Sequence, residues 1–138
     1  MNTELVKDAY AIIDGIPDDR ISLYMFQQGE IALEPAAITC QTLACAAGWL
    51  SLHPDMRKRG LRILTNGIPY LFGAASGFDS LAMLFEMTRK QATFLFSDRS
   101  GSRIPGQSEM SDKELWLARC RYLLKHGNFG DAEKNYRI

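Results

Sequence analysis

The chain has 138 residues, 46% hydrophobic and 23% charged, which suits one folded domain with its own core and excludes a largely disordered chain. Sixteen basic residues balance sixteen acidic ones, so neutralising phosphates along a nucleic acid is not its main work. The balance is uneven locally: residues 1–35 hold seven acids against Lys7 and Arg20, which leaves the rest basic.

Residues 3–14 carry Leu5, Val6, Ala9, Tyr10, Ile12 and Ile13 at helical spacing, with Asn2 or Thr3 as cap and Gly15 and Pro17 as stop. Residues 20–26 favour an extended segment, and residues 27–39, with Gly29 and Pro35, read mostly as loop. Residues 41–53 are expected to form a helix that is apolar nearly all round, and therefore buried and central. Gly48 in its middle implies close approach of another element, and Pro54 should end it.

Residues 61–72 read as a β-hairpin turning at Asn66-Gly67, with Pro69 confining its strand to an edge. A short helix is expected at 79–86. Thr88 and Gln91 then form a capping-box pattern for a helix ending at Phe96. Residues 97–108 form a polar loop and the best candidate for mobility. Ser111 and Glu114 make a second capping box, opening a helix to His126 whose buried stripe is Trp116, Leu117, Cys120, Leu123 and Leu124. Gly127 should close it, and a polar tail runs from about 128.

The fold expected is thus α+β: a single domain over 1–138, with four or five helices around the buried helix 41–53 and a small hairpin near 61–72. Met1–Glu4 lack the charged and apolar regions of a secretory leader, and no apolar run approaches the roughly 20 residues of a membrane span. With three cysteines (Cys40, Cys45 and Cys120), this points to reduced thiols and a cytoplasmic setting without membrane partners.

The segment Cys40-Gln-Thr-Leu-Ala-Cys45-Ala-Ala-Gly48-Trp49 resembles the Cys-x-Thr-x-x-Cys-x-Ala-Gly-Trp/His segment of small uncharacterised proteins from bacteriophages, prophages and some bacterial genomes. Gln41 stands where that pattern commonly has glycine. Leu84–Phe96 is similar to the group's Leu-Gly-Leu-Thr-x-x-Gln-Ala-x-x-Leu-Phe stretch, as is the final capped helix. The resemblance covers residues 16–127 apart from the hairpin region. It implies a phage or mobile-element context, and the host cytoplasm, rather than a particular chemistry.

Three sharper readings compete with a plain folded domain. Cys40 at a helix N-terminus is the one candidate catalytic nucleophile, with His53 or His126 as base; the alternative is that Gln41 or Thr42 caps the helix while the cysteines simply pack. A zinc site from Cys40, Cys45, His53, Cys120 and His126 is disfavoured. Cys45 and His53 lie about 12 Å apart along one helix, and no Cys-x-x-Cys pair exists. No metal or other cofactor is expected. Residues 79–96 resemble a helix-turn-helix that would read bases with Arg89, Gln91 and Thr93, although Phe94-Leu95-Phe96 suits a core better than a groove.

The densest basic cluster is Arg57, Lys58 and Arg59 with Arg62, expected in a loop or short turn. With Arg89 and Lys90 these residues make the candidate interaction surface. The reading that follows is a non-catalytic accessory protein that binds a macromolecule. A protein partner is favoured over nucleic acid.

Overall fold

Asn2 starts the first helix in the computed structural model, which describes residues 1–23, 27–28, 43–63 and 68–126. Its side-chain oxygen accepts the Leu5 amide at 3.1 Å, satisfying one of the free donors of a helix N-terminus. Helix α1 then spans Thr3–Asp14, burying Leu5, Val6, Ala9 and Ile13, and Gly15 closes it. A 3₁₀ turn at Asp18–Arg20 takes Arg20 out of the expected extended segment; Ile21 is extended, and Ile21 and Leu23 are buried. Residues 24–26 of the expected extended segment lie outside the described residues, as do most of the loop 27–39 and Gln41 and Thr42.

Strands β1 (Gln27–Gln28) and β2 (Leu43–Ala44) pair antiparallel. This pairing corrects the start of the central helix. Cys45 is its cap, and α2 runs only over Ala46–Leu52. The backbone of Leu43 and Ala44 is committed to a ladder with distant residues, which helical periodicity cannot reveal. The burial expectation holds: all seven residues of α2 are buried, Gly48 included. Ser51 meets the cost of a buried hydroxyl by donating to the Gly48 carbonyl at 2.6 Å. Trp49 donates its indole N–H to the Arg20 carbonyl at 2.8 Å, tying α2 to the 3₁₀ turn.

Pro54 ends α2 but also begins α3 (Pro54–Lys58). Proline is well placed in a first helical turn, where its missing N–H would have no partner. His53 caps α3, its Nδ1 accepting the Asp55 amide at 3.2 Å. The basic run therefore starts on a helix rather than in a loop, and the described residues hold six α-helices instead of four or five.

Strands β3 (Leu61–Ile63) and β4 (Pro69–Leu71) form the expected hairpin, with Leu61 opposite Leu71 and Ile63 opposite Pro69. Its turn, including Asn66-Gly67, lies outside the described residues. A third strand, β5 (Ala75–Ser76), pairs with the other side of β4. This makes β4 central and corrects its placement at an edge. Pro69 is tolerated because β5 reaches only Tyr70 and Leu71, leaving the proline at the end of the ladder.

Helix α4 (Gly77–Leu84) packs on β4, and α5 (Arg89–Phe96) opens with the full Thr88–Gln91 capping box. Between them Met87 N–H reaches the Ala82 carbonyl at 2.9 Å and Glu86 N–H reaches Met83 at 3.2 Å. This is a Schellman ending in which Glu86, at φ +52°, holds the left-handed position that glycine normally fills. Helix α6 (Asp112–His126) opens with the expected Ser111–Glu114 box. Trp116, Leu117, Cys120 and Leu123 are buried, whereas Leu124 is only partly covered. Gly127 and the tail lie outside the described residues.

The buried apolar side chains form one continuous core joining α1, α2, α4, α5 and α6. Phe85, Phe96 and Trp116 follow one another through it with ring centres 5.9 Å apart. Trp116 Nε1 is the one buried side-chain polar atom without a hydrogen-bond partner among the described residues.

The polar loop after α5 is not slack. It contains 3₁₀ turns at Arg99–Gly101 and Gln107–Glu109. Arg119, fully buried on α6, donates to Ser97 O at 2.6 Å, Asp98 O at 2.5 Å and Ser102 Oγ at 2.9 Å. Arg99 donates to Asp112 and to the Gln107 and Met110 carbonyls. The second carboxylate oxygen of Asp112 accepts the Leu23 amide at 3.0 Å, joining this hub to the N-terminal third.

Candidate functional site

Cys40 lies outside the described residues. The other two cysteines are poor nucleophiles for a physical reason. Burial pushes the Cys45 thiol up to about 11, against the smaller opposing effect of the Gly48 and Ala47 amides, and raises Cys120 well above its ordinary range. Neither expected base stands beside a described thiol at the same helix end. His53 is at the far end of α2 from Cys45, and His126 is at the end of α6 with its ring 4.2 Å from that of Tyr122. Among the described residues, no three histidine, cysteine or acidic side chains come together as a metal site.

Helices α4 and α5 form the expected helix pair, but little of α5 is available to read bases. Gln91 is buried and spends its side chain on the capping box. Ala92, Phe94, Leu95 and Phe96 are also buried, leaving Arg89 and Lys90 exposed in the first turn. Arg89 faces Asp79 at 3.4 Å, so this corner carries both signs of charge.

The basic cluster divides in two. Arg62 turns inward to the Arg57 and Leu61 carbonyls at 2.6 and 2.9 Å, capping the end of α3. Arg57 reaches back to the Ser51 carbonyl at 3.4 Å. Lys58 and Arg59 instead remain exposed and line a groove of about 350 Å³ between α1 and α3. The groove's other lining residues are Leu5, Met56, Asp8 and Asp55. Leu5 and Met56 are buried and form an apolar floor, while the two exposed aspartates set negative charge beside the positive pair.

Lys58 and Arg59 were legible as part of a basic run. Asp55 could have been found from Pro54 at a helix start, which puts it three positions before Lys58 on one short helix and four before Arg59, the residue that caps it. Asp8 gives no such indication, because it reaches the groove from a helix far away in the chain. Comparisons with protein-family models, with curated proteins and with solved structures find no match.

Proposed function

We propose that this chain is a non-catalytic accessory protein of the phage or mobile-element kind. In this reading it works in the host cytoplasm and binds another protein at the groove between α1 and α3. The observation that carries the binding mode is the mixed charge around that groove: Asp8 and Asp55 stand with Lys58 and Arg59, all four exposed. A phosphate backbone favours continuous positive surface, whereas a protein surface carries both signs and apolar groups together. The phage context is supported by the resemblance of the Cys40–Trp49 segment. The buried, raised thiols of Cys45 and Cys120 favour binding over thiol chemistry. Among the described residues no helix is long and apolar enough to cross a membrane.

The test is co-purification with the full chain as bait in host cells, beside Lys58→Glu/Arg59→Glu and Cys40→Ser variants. The expected result is a protein retained by the parent and by Cys40→Ser but lost with the charge-reversed groove. A partner indifferent to the groove variant would move the site elsewhere. A sequence-selective, salt-dependent DNA complex below about 10⁻⁷ M would replace the reading with DNA recognition.

A further inference from the structure

Asp112, the first residue of α6, uses its carboxylate in two directions. One oxygen accepts Arg99 from the loop after α5, and the other accepts the Leu23 amide at 3.0 Å. The Arg99 and Asp112 side chains are only 23% and 18% exposed, so water competes weakly for this ion pair. The residues beside Asp112 hold the chain that leads to Leu23. Ser111 donates its hydroxyl to Asp18 at 3.3 Å, and Lys113 donates to the Asp14 carbonyl at 2.8 Å. On the loop side, Gln107 donates to the Arg99 carbonyl at 3.0 Å and accepts Ser102 Oγ at 2.9 Å. Ser102 in turn accepts Arg119. A line of hydrogen bonds thus runs from Leu23 through Asp112, Arg99, Gln107 and Ser102 to the buried guanidinium of Arg119.

We infer that the strap 18–23 and the loop 97–111 form one conformational latch, which opens and closes as a unit through Asp112. Ser102 is the one buried residue of that loop. The loop is therefore closed chiefly by polar bonds, and a segment with little apolar burial opens at less free energy than a packed core. Arg99 fixes the carboxylate with its second oxygen aimed at Leu23. When the loop lifts and Arg99 leaves, the carboxylate turns to water or to the free amides of its own helix start. The Leu23 amide then loses its acceptor. The coupling is reciprocal: a strap that lifts takes away one of the two bonds that orient Asp112 toward Arg99. Opening the latch exposes Ile21 and Leu23, both buried when it is closed, while the middle of α6 stays folded. It gives this chain a way to present two core side chains without global unfolding.

The experiment is native-state hydrogen exchange on the full chain, read at four amides. Leu23 reports the strap, Gly101 and Met110 report the loop, and Cys120 in the middle of α6 reports global unfolding. Three variants are compared with the parent. Asp112→Ala removes the joint, and Arg99→Ala removes its loop side. Gln107→Ala removes three bonds within the loop, and that side chain bonds to neither Asp112 nor Leu23. In all three variants, exchange at Leu23, Gly101 and Met110 should rise together. The rise should be about tenfold or more beyond any change at Cys120, the loss expected for a hydrogen bond to a charged group. Where a variant fails to fold, Arg99→Lys, which keeps the cation but not the fork, is read in the same way. Faster exchange in the loop with Leu23 unmoved in Arg99→Ala or Gln107→Ala would overturn the inference, since strap and loop would then open separately. An equal rise at Cys120 would overturn it too, because the two segments would then open only with the whole fold.

Discussion

Arg119 donates its Nε–H to Ser102 Oγ at 2.9 Å, and both residues are buried, at 0% and 1% exposure. The guanidinium is held without a carboxylate within ion-pair range among the described residues. Its bonds go to that hydroxyl and to the Ser97 and Asp98 carbonyls, so one side chain closes the loop after α5 onto α6. Burial lowers its titration range to about 10, which leaves it charged at neutral pH.

Removing that side chain should loosen the whole loop. Arg119→Ala leaves two carbonyls and a hydroxyl short of donors in a buried place, at a cost of about 2–4 kcal/mol. Arg119→Lys should recover less than half, because an ammonium cannot span three acceptors as a planar fork does. Urea denaturation of the three chains measures both values. A loss below about 0.5 kcal/mol for alanine, the range of ordinary surface changes, would show that the loop holds without its clamp.

Gly101 should resist even the smallest side chain. A Cβ placed there would lie 1.6 Å from Ser97 Oγ and 2.9 Å from Ser97 Cβ. Gly101→Ala is therefore expected to cost about 1–3 kcal/mol through overpacking. Adding Ser97→Ala removes the hydroxyl but not the Cβ, so the double variant should regain only part. Thermal melts of the single and double variants decide it; equal melting of parent and Gly101→Ala would mean that the backbone yields freely.

Glu86 offers the opposite opportunity. Its φ of +52° carries a steric penalty that glycine does not pay, and its side chain is exposed. Glu86→Gly should stabilise the chain by about 0.5–1 kcal/mol, the Schellman bonds remaining in place. A lower urea midpoint for the variant would show that the carboxylate does something at this corner beyond closing the helix.

Alkaline solution should weaken the fold through Cys45. The folded thiol holds its proton up to about 11, against an ordinary value of 9.0 in the unfolded chain. The resulting stability is fully present below pH 9 and is lost as the pH rises through 11. The two-unit difference corresponds to about 2–3 kcal/mol. Between pH 8 and pH 11 the parent should thus lose about that much more stability than Cys45→Ala, in which the thiol is absent. Parallel losses in the two chains would contradict the assignment.

What could be read before the structure was mostly what neighbours decide. Asn2, Thr88 with Gln91 and Ser111 with Glu114 are local caps, and each makes its bond as expected. The start of α2 was displaced because Leu43 and Ala44 answer to Gln27 and Gln28, far back in the chain. Pro54 both stops α2 and begins α3, and a proline's local pattern announces only the stop. Arg119 was hidden entirely, since nothing in a helical pattern announces that a cation will be buried under acceptors 17–22 positions away. The groove was half legible for the same reason: α3 and its cap Arg59 supply both bases and one acid from five consecutive residues, 55–59, but Asp8 arrives by packing.

The two tryptophans have opposite hydrogen-bonding, and this makes them separate spectroscopic reporters. Trp49 Nε1–H is bonded to the Arg20 carbonyl, whereas Trp116 Nε1–H is buried without an acceptor among the described residues. In an indole proton spectrum the bonded resonance should lie downfield of the other. Release of the Asp18–Arg20 turn would move only the Trp49 signal, while loosening around the Phe96 ring would move that of Trp116. Local opening at the N-terminal third and breathing of the core can therefore be followed at the same time, in the same sample, with no label introduced.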